Sequence, residues 1–257
     1  MQVMTNEELL EPFKDTKLWE FISNIINNKN FTIIKYGDFL EMMYTDNENR
    51  HNCDGSHYFI ELKKKLIECY KFFLLNKNSY ICKWDTELYV DKNVDPLYKD
   101  YYDFFNKFLY FNIIIHKLKK TESNGRSLID FDNKIVTFYK TIKNSSRKKI
   151  YITNAMLAPH VKEALNVDSV VLVPFVDAWL KHEEIFMNVL KELDKDDCIV
   201  LTSCGFYAPV LVKELMGVRP NNTYIDVGSS FDGFVRGSRN FNWMPEYREL
   251  LSEYYLK

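Results

Sequence analysis

The five cysteines, Cys53, Cys69, Cys82, Cys198 and Cys204, form no CxxC pair and are odd in number. That pattern encodes neither a disulfide framework nor a zinc ribbon, and reduced thiols in a cytoplasmic compartment are expected. The start of the chain lacks a basic, apolar leader, since Glu7, Glu8 and Glu11 stand where a signal peptide would need one. The apolar run Phe108 to Ile115 is interrupted by Asn112 and is far short of the ~20 residues a membrane span requires. Neither sign of charge dominates: 34 basic and 36 acidic residues leave a net charge of -2, which gives no bulk attraction for nucleic acid. The local runs Lys63-Lys64-Lys65 and Arg147-Lys148-Lys149 are expected to be solvated faces. No GxGxxG follows the first strand candidate, which argues against a dinucleotide-binding enzyme.

What is present is an ordinary globular composition, 46% hydrophobic and 27% charged, over 257 residues. Leu18, Phe21, Ile22, Ile25 and Ile26 recur at helical spacing, with Asp15 a candidate N-cap. Phe31 to Lys35 reads as a strand ending at Gly37-Asp38, and Thr45 to Gly55 as a loop. Leu62, Leu66, Cys69 and Phe73 mark one face of a second helix, and Tyr80 to Trp84 reads as another strand. Tyr98 to Lys119 is predicted to be a buried, aromatic-rich helix, and Thr121 to Arg126 a linker or turn.

The second half alternates. Strands are predicted at Lys149 to Thr153, Ser169 to Val173, Cys198 to Thr202 and Thr223 to Val227. Helices are predicted between them at Pro159 to Leu165, Lys181 to Leu193 and Phe206 to Met216. Such alternation is the mark of βαβ units, and nearly continuous apolar runs such as VVLV suit strands covered on both faces. The expected fold is α/β and Rossmann-like, with a mostly parallel sheet flanked by helices. It is expected to form a single domain over 1–257, with an N-terminal half to residue 120 and a βαβ half from 127.

Parallel sheets bind ligands at the carboxyl ends of their strands. Three stretches fall there: Tyr36-Gly37-Asp38 with Glu41; Thr202-Ser203-Cys204-Gly205; and Asp226-Val227-Gly228-Ser229-Ser230-Phe231-Asp232. A small turn feeding a helix offers unpaired N–H groups and a positive helix end to an anion, although glycine also serves tight turns with nothing bound. Two neighbouring carboxylates, Asp38 and Glu41, suit a hard divalent cation; equally, Asp38-x-x-Glu41 reads as a helix capping box. Asp54-Gly55 is a turn signal, and Asp54 can also lean into a neighbouring site. His51, Cys53 and His57 have no standard zinc spacing, and His116, His160 and His182 stand singly and are expected to be structural.

Taken together, these segments resemble the GT-D-type glycosyltransferases and their bacterial and viral relatives. Lys35-Tyr36-Gly37-Asp38 matches the Arg/Lys-aromatic-Gly-Asp start of that family's early motif. Asn52 to Gly55 with Tyr58 is similar to an Asn-Cys-Asp-Gly-x-x-Tyr segment of some relatives. Ile199 to Gly205 and Ile225 to Gly228 are similar to the strand–turn and Ile-Asp-Ile/Val-Gly segments of the second half. One departure stands out: the family continues Gly-Glu after the aspartate, whereas Phe39 and Leu40 follow here and Glu41 comes one residue late.

The resemblance implies transfer of a sugar from a nucleotide-diphosphate donor, a UDP-sugar above all, to a hydroxyl of a glycan or glycoconjugate. It implies a Mn2+ or Mg2+ ion on Asp38 and Glu41, and donor contacts from Tyr36, Gly37, Asp38, Ser203, Gly205, Asp226, Gly228 and Ser229. Arg236 and Arg239 would bring positive charge to the phosphates, and Tyr36 or Trp179 would stack on the base. For inversion, Asp232 and then Asp54 are the candidates to take the acceptor proton. The rival expectations are a non-catalytic nucleotide-sugar or glycan-binding module that has lost the metal motif, and another nucleotide-dependent enzyme on the same architecture.

Overall fold

Six short apolar runs are too brief to bury themselves and do so by pairing side by side. In the computed structural model, residues 17–36, 55–83, 138–228 and 231 are described. The strands are β1 (Thr32–Tyr36), β2 (Ser79–Lys83), β3 (Lys149–Thr153), β4 (Ser169–Leu172), β5 (Ile199–Thr202) and β6 (Thr223–Asp226). They form one sheet in the order β2-β1-β6-β5-β3-β4, and every pairing is parallel. Strands from both halves of the chain therefore share a single sheet, with β6 set between β1 and β5. The α/β expectation holds, and each strand lies within a residue or two of its predicted span.

The helices are α1 (Lys17–Ile26), α2 (Ile60–Leu75), α3 (Ala158–Leu165), α4 (His182–Glu192) and α5 (Ala208–Val218), with a further helical segment at 138–144. Short 3-10 turns, Ala178–Lys181 and Gly205–Tyr207, lead into α4 and α5. Parallel strands joined through a helix connect with a right-handed crossover, so the direction of each step decides which face the helix covers. The two cores follow that rule. Leu62 and Leu66 of α2, Ile185 and Val189 of α4, and Leu211 and Leu215 of α5 pack on one face with Ile34, Val200 and Tyr224. Phe21 and Ile22 of α1, Phe138, and Val161 and Leu165 of α3 pack on the other, with Ile33, Leu201 and Ile225. Each fully buried Leu or Ile of these layers contributes about 1.5–3 kcal/mol.

The exit from β6 breaks the pattern of its neighbours. The chains leaving β1 and β5 return along the α2/α5 face, but Phe231 sits in the opposite core, 4.8 Å from the Tyr139 ring centroid. Adjacent chains that leave in opposite directions open a crevice at the strand ends. At this sheet that place is the end of β6.

One expectation is overturned at the other edge. Arg147 and Lys149 are not a solvated face: both are buried. Arg147 donates from Nε to the Asp197 carbonyl (3.1 Å) and from Nη2 to Asn30 Oδ1 (2.6 Å) and the Cys198 carbonyl (3.1 Å). Its Nε also lies 2.8 Å from Asp197 Oδ1. The planar guanidinium thus ties the entries of β1, β3 and β5, a geometry lysine cannot reproduce. Lys149 donates to the Ser145 carbonyl at 2.8 Å. The predicted helix at Tyr98 to Lys119, the Thr121 to Arg126 turn and the Asp15 cap lie outside the described residues. Arg147→Met is expected to cost roughly 2–4 kcal/mol, because it strands a buried carbonyl and amide oxygen together. Urea unfolding measures this; a loss below about 0.5 kcal/mol would deny Arg147 that role.

Candidate functional site

The carboxyl ends of β1, β5 and β6 meet around Asp226. Its side chain is fully withdrawn from water and bridges two neighbouring segments. Oδ2 accepts from the Lys35 amide of β1 at 3.3 Å, and Oδ1 accepts from the Gly228 amide at 3.0 Å. Burial pushes the Asp226 carboxyl up from its ordinary 3.8 to about 6. The Lys35 ammonium opposes that rise, as do the Gly228 and Lys35 amides. The Thr202 hydroxyl, opposite Asp226 in the β5–β6 pairing, pulls weakly the same way without a well-formed hydrogen bond.

Gly228 has a left-handed backbone (φ 47°), and a Cβ there would lie 2.5 Å from Lys35 Nζ and 3.1 Å from Cε. The glycine is thus required twice: for its backbone angle and because the Lys35 side chain occupies the space a side chain would take. Lys35 itself is only 7% exposed. Its only local signal is as the first letter of a motif, and its place at the β6 turn follows from the pairing of β1 with a strand about 190 residues later.

Ser203 donates from Oγ to the Gly228 carbonyl at 2.6 Å, joining the β5 turn to the β6 turn. Its amide, expected to face an anion, instead donates to the Ile152 carbonyl at 2.8 Å. Ser203 is therefore a pin that shapes the crevice. Gly205 has φ 60° and only open space where a Cβ would be, so its left-handed turn lies at the open side. Cys204 between them is buried, and desolvation with the nearby Asp226 charge raises its thiol well above the ordinary value. It is an inert packing thiol in this setting.

Tyr36 ends β1 beside these turns, but its ring is in the core. It packs edge-to-face on Tyr70, with ring centroids 5.0 Å apart, and its hydroxyl donates to the Leu66 carbonyl at 3.0 Å. Trp179 is likewise committed, stacked on His182 at 4.3 Å. Neither ring presents a face for a base to stack on, because each was recruited to cover the sheet. His182 accepts a structural role through Nδ1 and the Trp179 carbonyl at 2.9 Å.

Gly37, Asp38, Glu41, Asp54, Ser229, Asp232, Arg236 and Arg239 lie outside the described residues. Of the expected site, the structure brings together Tyr36, Ser203, Gly205, Asp226 and Gly228, and adds Lys35. Toward a divalent cation, the described part offers one carboxylate, Asp226, which is buried and already accepts from two amides, so by itself it makes no metal site. No group of three or more His, Cys, Asp or Glu side chains able to hold a metal occurs among the described residues. The metal set expected at Asp38 and Glu41 would have to complete it. No described helix is long and apolar enough to cross a membrane.

No protein-family model matches the chain, and no curated protein matches it by sequence. Solved structures do match. One of domain of unknown function 1792 superposes with a TM-score of 0.52 at 17% identity, covering 88% of this chain and 83% of that one. A second, described as showing that this domain has a distinct glycosyltransferase fold, gives 0.52 and 17%, covering 87% and 82%. A third, described as a new glycosyltransferase of the same domain from Streptococcus sanguinis, gives 0.52 and 15%, covering 84% and 81%. At these identities the likeness is one of fold: the six-stranded parallel sheet is built as in a distinct glycosyltransferase fold.

Two outcomes follow from the Asp226 cluster. A carboxyl whose native value lies above its unfolded value binds its proton more tightly in the folded chain, so stability is greatest below about pH 4 in this respect and falls as pH rises through about 6. Relative to Asp226→Asn, the wild type should lose on the order of 2–3 kcal/mol between pH 4 and pH 7. Urea unfolding across that range reads it, and a constant difference would restore Asp226 to an ordinary carboxyl. Gly228→Ala should cost about 1–3 kcal/mol through backbone strain. By displacing the Lys35 ammonium it should also raise the Asp226 midpoint further, as followed by carboxyl carbon NMR; an unmoved midpoint would separate Lys35 from Asp226.

Proposed function

We propose that the protein is a glycosyltransferase that moves a sugar from a nucleotide-diphosphate donor, a UDP-sugar in the first instance, to a hydroxyl of a glycan or glycoconjugate. The observation that carries this reading is the joint placement of Lys35, Ser203, Gly205, Asp226 and Gly228 at the β6 exit, in a sheet with the fold of a glycosyltransferase.

The chemical task is to accept negative charge as the sugar–diphosphate bond breaks. Preorganised positive charge in a site of low polarity does this best, because it needs no reorganisation at the moment of reaction. Lys35 is such a charge, held by packing against the glycine turn. Asp226 keeps the two amides around that turn in place and balances the ammonium when the crevice is empty. The exposed Gly205 turn leaves an open approach for phosphate oxygens, ahead of the buried start of α5. Arg236 and Arg239 belong to the proposal as further positive groups, and Gly37 and Ser229 as turn positions beside the donor.

A Mn2+ or Mg2+ ion held by Asp38 and Glu41 would supply Lewis-acid neutralisation of the diphosphate when bound. The Phe39-Leu40 departure gives the second reading its ground: a module that binds nucleotide sugars or glycans without turning them over. The two readings differ in turnover and agree in binding.

The test is a thermal-shift and sugar-release screen of UDP, UDP-glucose, UDP-galactose, UDP-N-acetylglucosamine and GDP-mannose, with and without Mn2+. A donor at 100 times its dissociation constant contributes about 2.7 kcal/mol, which is on the order of 5–10 °C for a chain of this size. A shift with sugar release is the expected result. A shift without release to water or to a broad glycan panel would favour the binding module, and no shift with any nucleotide would remove both readings.

A further inference from the structure

A second pair of ionisable groups lies on the same edge of the sheet, apart from the Asp226 cluster. His57 belongs to the connection from β1 to α2, and Asp177 to the connection from β4 to α4. Separated by 120 residues in sequence, they meet through two bonds. The His57 amide donates to Asp177 Oδ1 at 2.8 Å, and His57 Nδ1 lies 2.6 Å from Asp177 Oδ2. The Asp177 amide in turn donates to Ser56 Oγ at 3.4 Å. The carboxylate side chain is 14% exposed and the imidazole 48% exposed. Asp177 reaches this position with a left-handed backbone, φ 53°, a conformation that carries strain in a residue other than glycine.

The neighbours place the pair beside the crevice. Tyr58, next in the chain, packs on Phe206 with ring centroids 5.2 Å apart, and Phe206 directly follows the open Gly205 turn. Gly55 faces Val176, with 3.9 Å from its Cβ position to Cγ1. Segment 55–58, which leads into α2, therefore lies against the loop after β4 and against the residue that follows the Gly205 turn. Lys35 and Gly228 stand at the β1/β6 side, and the His57–Asp177 couple stands toward the β3/β4 side.

We infer that His57, oriented by Asp177, is the base that takes the acceptor's proton, which makes the β3/β4 side of the crevice the acceptor side. This rests on the transferase reading above. With Nδ1 donating to a shielded carboxylate, the neutral ring is fixed in one tautomer, and Nε2 carries the lone pair that accepts a proton. The acceptor O–H bond breaks and its proton passes to Nε2. The freed electron pair of that oxygen forms the bond to the anomeric carbon. The bond from that carbon to the diphosphate oxygen breaks, its electron pair leaving with the diphosphate, and the imidazolium later returns its proton to water. His57 is the catalytic residue, and Asp177 a positioning residue that holds its tautomer and stabilises the imidazolium. A proton acceptor on the flank opposite the leaving group belongs to an inverting transfer. The two candidates that the sequence offers for this role, Asp232 and Asp54, lie outside the described residues.

The test uses the full chain with UDP-glucose, UDP-galactose and UDP-N-acetylglucosamine, with water as acceptor, and UDP binding measured by calorimetry. His57→Gln is expected to lower kcat on the order of a hundredfold with UDP affinity unchanged. Asp177→Asn, which cannot accept from both the His57 amide and Nδ1–H, should lower kcat with little change in KM. In 15N-histidine-labelled wild type, neutral His57 should carry its proton on Nδ1, and Asp177→Asn should move it to Nε2. A His57→Gln variant that turns over within twofold of wild type, or that loses UDP binding in parallel, overturns the base role and leaves the transferase reading standing. A neutral ring protonated on Nε2 in the wild type overturns it without reference to turnover. UDP binding with no turnover of any of the three donors removes base and transferase together.

Discussion

A carboxylate taken out of water at the end of β6 is the constraint on which the binding edge depends. Asp226 accepts from one amide on β1 and another in its own turn, so it fixes the relative position of two segments that no helix joins. Burying it carries a penalty, visible in the raised titration of the group, and only the hydrogen bonds and the neighbouring ammonium offset that penalty. A hydrophobic residue at 226 would relieve the cost but release both amides and remove the negative charge that Asp226 sets against Lys35. The strand end thus trades stability for a defined electrostatic arrangement, and functional sites commonly show that trade.

The rest of the edge is built outward from that point. Ser203 ties the β5 turn to the Gly228 carbonyl, and Gly228 in turn leaves the room that the Lys35 side chain fills. Behind them, Tyr36 and Tyr207 are buried with their hydroxyls bonded to carbonyls of Leu66 and His182. The floor of the crevice is therefore rigid, whereas Gly205 marks where it opens. At the opposite edge of the sheet, Arg147 performs the complementary task of tying strand entries together, so the two ends are held by different polar devices: a cation below and an anion above.

How much of this was legible in sequence depended on the range over which each feature is determined. Strand runs such as IVLT and TYID, and the helix carrying Leu62, Leu66, Cys69 and Phe73, are local patterns of burial, and the sheet bears them out. The small turns at Ser203 to Gly205 and Asp226 to Gly228 were readable for the same reason: their composition signals a β-to-α break. The roles within them were not. Whether the Ser203 amide faces a ligand or the Ile152 carbonyl depends on how β3 is placed beside β5, which no local pattern encodes. Arg147 and Lys149 read as a surface run because charge predicts solvation unless distant acceptors are known. His57 looked like part of an incomplete metal cluster because its partner, Asp177, lies in another connection altogether.

On the proposed reading, the arrangement of charges along the edge has a direction. The ammonium of Lys35 lies on one flank of the Gly205 turn, where a departing diphosphate would gather negative charge. The His57–Asp177 couple lies on the other, where an acceptor hydroxyl would release a proton. A displacement at carbon needs its entering and leaving groups on opposite sides, and both demands fall on loops held by a rigid sheet, as positioning requires. The order of the strands makes this possible. Because β6 is inserted between β1 and β5, its exit to the far face opens the crevice at the middle of the sheet, and connections from both halves of the chain reach it from either side. A sheet with β6 at its border would present the same residues in sequence yet have a single flank, and the two chemical tasks would compete for one space.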